Sequence, residues 1–109
     1  MATVVVDAEN VRRSLWPNLT GEELVAAARA WAAREGHTLR IVFDGPPPET
    51  ADDLVASGYA DDAIVALVAE LPPPVWVATS DRALRARVAA GAERVLGGGG
   101  FARAISAGA

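Results

Sequence analysis

A chain of 109 residues that is 51% hydrophobic and contains no cysteine has apolar content for one core, and it excludes disulfide staples and thiolate metal sites. Its formal net charge of -4, from 14 acidic and 10 basic residues, runs against the basic excess usual in nucleic-acid-binding surfaces. Every basic residue is arginine, so chemistry that needs a lysine is excluded. Residues 1–109 read as a single domain. No apolar run approaches the roughly 20 residues of a membrane span, and Met1 leads straight into Val4-Val5-Val6 without a basic leader, so the expectation is a cytoplasmic protein with no membrane partner.

Short β-branched runs alternate with longer Ala-rich stretches, which predicts an α/β fold. Its central, mostly parallel sheet of four to five strands would be covered by helices on both faces, giving three layers. Thr3 to Val6 is the first predicted strand, followed by a loop that holds Trp16-Pro17. Thr20-Gly21-Glu22-Glu23 is a capping-box signature ahead of Leu24, Ala27, Ala28 and Trp31, and Gly36 closes that helix. Leu39 to Phe43 forms the second strand, ended by Asp44-Gly45 and three prolines, and Leu54 to Ala56 forms a weak third. A helix from about Ala60 to Leu71 carries Ile64, Leu67, Val68 and Leu71 on one stripe until Pro72-Pro73-Pro74 stops it. Val75 to Ala78 is the fourth strand, and Ser80 or Asp81 caps a helix bearing Leu84 and Val88. A short strand at Arg94 to Leu96 and a last helix after Gly100 complete the chain.

In a parallel sheet the strands end on one edge, so groups just after strands one, two and four meet in one crevice. Here those groups are Asp7, Asp44 and Asp81, and Asp61 and Asp62 stand at a helix start where the dipole favours negative charge. Any one of them alone is most simply a turn former or a cap, and Asp52 and Asp53 read as loop residues. Their coincidence points elsewhere: clustered carboxylates repel one another unless protons or a cation intervene. Hard oxygen donors of this kind suit Mg²⁺ or Mn²⁺, which take their remaining ligands from water and phosphate. Setting the five aspartates aside leaves 9 acidic residues against 10 basic ones, so the acidity of the chain is largely that of the candidate site.

Val6-Asp7-Ala8-Glu9-Asn10-Val11 resembles the opening Asp-x-x-Asn motif of NYN and PIN domains, and Val42-Phe43-Asp44-Gly45 resembles the second-strand motif of the YacP-like group. Ser57-Gly58-Tyr59-Ala60-Asp61-Asp62-Ala63-Ile64 is similar to the family's Ala-Asp-Asp segment, and Thr79-Ser80-Asp81-Arg82-Ala83-Leu84-Arg85 to its Thr-x-Asp-x-x-Leu motif. The motifs occur in the family's order from Val4 to about Phe101, although the chain is shorter than the family pattern around strands two and three. The resemblance to the YacP-like NYN branch of the PIN nucleases implies a PIN-like fold and a metal-dependent endoribonuclease. It carries metal ligands over to Asp7, Asp61, Asp62 and Asp81, with Asp44 as a helper. Asn10 would sit beside the metal or the scissile phosphate, and the implied catalytic set is Asp7, Asn10, Asp61 and Asp81. RNA, single-stranded or structured and including ribosome-associated RNA, is the implied partner.

Arg12 and Arg13 just past the first motif, and Ser80, Arg82 and Arg85 around the last, are the candidate phosphate-binding residues, since arginine offers paired planar donors and a helix start adds backbone N–H groups. The plainer role for these arginines is to solvate helix faces, which is the expectation for Arg29, Arg34 and Arg87. Trp16 is the candidate surface for stacking a base, against the plainer role of packing over the core edge, and Tyr59 could touch substrate. Trp31 and Trp76 fit core positions, and His37 reads as a surface residue. Gly97 to Gly100 meets neither the Gly-Lys-Ser/Thr nor the Gly-x-Gly-x-x-Gly fingerprint and reads as a flexible connection. A haloacid-dehalogenase-type phosphatase and a phospho-acceptor receiver both need a lysine that is absent. The rival to a nuclease is a catalytically silent PIN-like module that binds RNA or a protein.

Overall fold

In the computed structural model, which describes residues 1–107, the elements run β1 (Thr3–Asp7), α1 (Ala8–Arg12), α2 (Gly21–Glu35), β2 (Thr38–Asp44), β3 (Leu54–Ser57), α3 (Ala60–Glu70), β4 (Val75–Ala78), α4 (Arg82–Val88), β5 (Arg94–Leu96) and α5 (Gly98–Ser106). All five strands pair in parallel in the order β3-β2-β1-β4-β5. The α/β expectation holds, and every ladder within the sheet is parallel.

Alternation along β1 explains the layers. Val4 and Val6 face a core shared with Val11, Leu24, Ala28, Phe101 and Ile105, so α1, α2 and α5 cover that side. Val5 faces the opposite core with Val42, Ile64, Val77 and Leu84, beneath α3 and α4. Because β1 is covered on both faces it reads as a continuous apolar run, as buried parallel strands do.

The predicted caps form. Thr20 Oγ1 accepts from the Glu23 N–H at 3.0 Å, and Glu23 Oε1 accepts from the Thr20 N–H at 2.9 Å. Gly36 ends α2 at φ 74, in the left-handed region that costs glycine least.

Three expectations need correction. Residues 8–12, read as loop, form the short helix α1, whose five residues are too few to show a period. The run Gly97 to Gly100, read as a flexible connection, is the N-cap and first turn of α5, because Phe101 and Ala102 are buried and draw the helix start back to Gly98. His37, read as a surface residue, is half-buried between Trp31 and Trp76, with ring centroids 5.2 and 4.6 Å away, and its Nδ1 accepts from the Ala2 N–H at 3.0 Å. Arg94 lies over the Trp76 ring, 4.4 Å from its centroid.

The order β3-β2-β1-β4-β5 places a switch point between β1 and β4: the chain winds outward through β2 and β3, then returns to start again at β4. Crevices in such sheets open at this point, beyond the C-terminal ends of the strands.

Candidate active site

Asp7 is the last residue of β1 and is only 6% exposed. The Thr79 hydroxyl, just beyond β4 and fully buried, donates to Asp7 Oδ2 at 2.9 Å and accepts from the Asp81 N–H at 3.1 Å. One hydroxyl thus ties together the ends of the two strands that flank the switch point. Burial is the main force raising the Asp7 pKa above its ordinary 3.8; the Thr79 hydrogen bond opposes it, the charge of Asp61 raises it further, the Asn10 N–H opposes that, and Asp44 adds a smaller upward push.

The other carboxylates each have a structural duty. Asp44, at the end of β2, accepts from the Ala60 N–H through Oδ1 at 2.7 Å and so caps α3 from a neighbouring strand; Tyr59, at the N-cap position, supplies no capping bond from its side chain. Asp81 caps α4, with Oδ1 accepting from the Leu84 N–H at 3.0 Å. Asp61, half-buried in the first turn of α3, accepts at Oδ2 from the Tyr59 hydroxyl at 3.2 Å, and its charge raises the pKa of that phenol. For Asp44 and Asp81 a single oxygen is committed in this way, and the second is spare.

These four aspartates line one open cleft of about 470 Å³, together with Glu9, Asn10, Arg13, Ser14 and Tyr59. Asn10 has a defined orientation. Its Oδ1 accepts from the Ser80 N–H at 2.9 Å, which only the amide oxygen can do, so its Nδ2 is left as a donor. Ser80 Oγ in turn accepts from the Gly98 N–H at 2.7 Å.

The remaining predicted residues lie apart. Asp62 points out of the cleft and accepts from Arg87 at 2.9 Å. Arg12 pairs with Glu9 at 3.4 Å and borders a separate hollow beside Pro46, Pro47 and Pro48. Arg13 lines the cleft and pairs with the same glutamate at 3.2 Å. Arg82 and Arg85 are exposed on α4 and do not line the cleft. Trp16 is 90% exposed, and Tyr59 is exposed at the cleft wall.

Two cleft residues escaped the sequence reading, Glu9 and Ser14; both depend on α1, which the sequence did not reveal. Thr79, buried beneath the cleft, looked like a spacer inside its motif. The Thr-x-Asp spacing does contain the signal, since a hydroxyl two residues before a cap can accept from that residue's N–H.

The cleft is lined mainly by carboxylate and hydroxyl oxygens, and a buried Asp7 pressed by two other carboxylates is the setting a hard divalent cation would relieve. Among the described residues, no three Asp, Glu or His side chains stand close enough together to hold one ion, because each is drawn to its own donor. An ion seated here would have to draw them together.

No family model matches the sequence, and no curated protein matches it. Among solved structures, the chain is similar to a Trp-to-Leu variant of Rae1 (YacP) from Bacillus subtilis, with a TM-score of 0.77 and 18% identity over 98% of this chain and 76% of that one. At that identity the likeness speaks for architecture alone: the chain has a YacP-like fold.

Proposed function

We propose that this protein is a divalent-metal-dependent endoribonuclease that hydrolyses RNA phosphodiester bonds in the cleft at the C-terminal edge of its sheet, acting in the cytoplasm. The observation that carries this is the convergence of Asp7, Asp44, Asp61 and Asp81, from four separate segments, on one open cleft. These four would hold Mg²⁺ or Mn²⁺; Asp62, paired with Arg87, is outside the set. When bound, such an ion polarises a phosphate oxygen and makes water a better nucleophile at neutral pH.

The chain's own groups do the rest. Thr79 keeps the Asp7 and Asp81 strand ends in register, and Tyr59 restrains Asp61. Asn10 offers its Nδ2 to an anionic oxygen, and Arg13 can leave Glu9 for a phosphate at the rim. Exposed Arg82 and Arg85 lie on the helix that Asp81 caps, where they can meet the RNA backbone beyond the scissile bond. Ribosome-associated RNA is the substrate class that the family resemblance favours.

A second reading has its own support. Asp44 and Asp81 act as helix caps, and the carboxylates are not gathered for an ion as they stand, which suits a catalytically silent module that binds RNA or a protein. Cleavage of a labelled single-stranded RNA separates the two. The wild type is expected to cut with Mn²⁺ or Mg²⁺ and to lose activity on chelation. Asp81→Asn should be at least about 100-fold slower, since an ion ligand contributes several kcal/mol to the transition state. Equal activity in the two proteins would mean a contaminating nuclease, and RNA retention without cleavage would establish the silent module.

A further inference from the structure

Four consecutive glycines open α5 although glycine is among the weakest helix formers. At Gly98 the reason is space. A Cβ there would stand 2.7 Å from Ser14 Oγ and 3.3 Å from Ser80 Oγ, and it would overlap Asn10 Oδ1. At Gly100, in the same turn, a Cβ would meet nothing within 4 Å. Gly98 is also tied to its surroundings: its N–H donates to Ser80 Oγ, the Ser80 N–H donates to Asn10 Oδ1, and Ser14 Oγ donates to the Asn10 carbonyl at 2.6 Å. The start of α5, the β4–α4 turn and the helix α1 therefore meet at one amide side chain.

We propose that Gly98 is a positioning residue of the cleft, acting through Asn10. Its missing side chain lets α5 close against α1 and the turn at Ser80. That closure holds the Asn10 amide with its oxygen on the Ser80 N–H and its Nδ2 presented to an anionic oxygen of the substrate. The substrate's identity rests on the nuclease reading; the coupling between Gly98 and Asn10 does not.

The test compares wild type, Gly98→Ala, Asn10→Ala, the double variant and Gly100→Ala. A hydrogen bond from a side-chain amide to a charged oxygen implies an activity loss of about 10- to 100-fold for Asn10→Ala. Gly98→Ala should reproduce most of that loss, and the double variant should be no worse than Asn10→Ala, since both remove one interaction. Gly100→Ala should retain wild-type activity. In ¹⁵N NMR, the Ser80 backbone resonance should move in Gly98→Ala as it does in Asn10→Ala, and stay in place in Gly100→Ala. Losses that multiply in the double variant, or a Ser80 resonance unmoved by Gly98→Ala, would overturn the proposal. If Gly98→Ala does not fold, adding Asn10→Ala together with Ser14→Ala should restore the melting transition by clearing both crowding side chains, and failure to do so counts equally against it. If the wild type cuts no RNA, the nuclease reading falls, while the Ser80 resonance and the melting comparison still decide the coupling.

Discussion

Thr79→Val isolates the bond that joins the two halves of the cleft. The substitution keeps the shape of a fully buried side chain and removes a hydroxyl that donates to Asp7 at 2.9 Å and accepts from Asp81 at 3.1 Å. Loss of a hydrogen bond to a charged group costs about 1.5–3 kcal/mol, and the second, partly exposed bond adds about 0.5–1 kcal/mol. The sum is about 2–4 kcal/mol. At about 4 °C per kcal/mol for a chain of this size, the melting temperature should fall by roughly 8–16 °C. The pH dependence follows from Asp7. Because its pKa is raised in the folded state, its contribution is fully present below the ordinary value of 3.8 and is lost as pH rises through the raised value. Thr79 favours the ionised form, so removing it pushes that pKa higher still. The gap between variant and wild type should therefore open as pH rises through the Asp7 pKa and narrow in acid. Urea denaturation of metal-free protein between about pH 4 and about pH 8 reads this directly. A loss under about 1 kcal/mol, or one of constant size across that range, would refute the bridge between the strand ends.

Asp7→Asn should stabilise the metal-free protein at neutral pH, because it removes a charge held against burial and against Asp61 and Asp44; the gain in melting temperature should fade as the pH is lowered toward the ordinary carboxylate value. An unchanged melting temperature at neutral pH would show that the carboxylates do not strain one another. Arg29 reaches both Asp53 oxygens at 2.8 Å and Glu49 at 2.9 Å, so Arg29→Ala should cost about 1 kcal/mol after solvent screening of this partly exposed group. Asp53 is held below its ordinary value by that arginine, so the contribution is present above about pH 3.8 and lost as pH falls through the lowered pKa; denaturation at neutral and acid pH checks it.

The parts legible in the sequence are those with a local signature. The apolar run at β1 and the capping box at Thr20 specify themselves through neighbours along the chain, and so does the stop at Pro72. Parallel strands then forced the prediction that Asp7, Asp44 and Asp81 share an edge, and the five-stranded sheet places them there. What stayed hidden depended on distant partners. Arg29 looked like a solvated helix residue and Asp53 like a loop residue, yet they form a two-pronged pair across 24 positions. Asp61 and Asp62 were equivalent as letters. The helical turn of about 100° between them leaves one in the cleft and the other against Arg87.

By itself the sequence determined the order of the five strands and of the longer helices, the parallel sheet and the edge on which the carboxylates gather, because periodicity and strand ends are properties of short stretches. Tertiary structure alone decided which oxygens are committed to caps, which way the Asn10 amide points and why Gly98 has no side chain, since each is settled by an atom brought from another element. Hydrogen-bond direction and steric room exist only between surfaces in contact, and those contacts form only once the chain has packed.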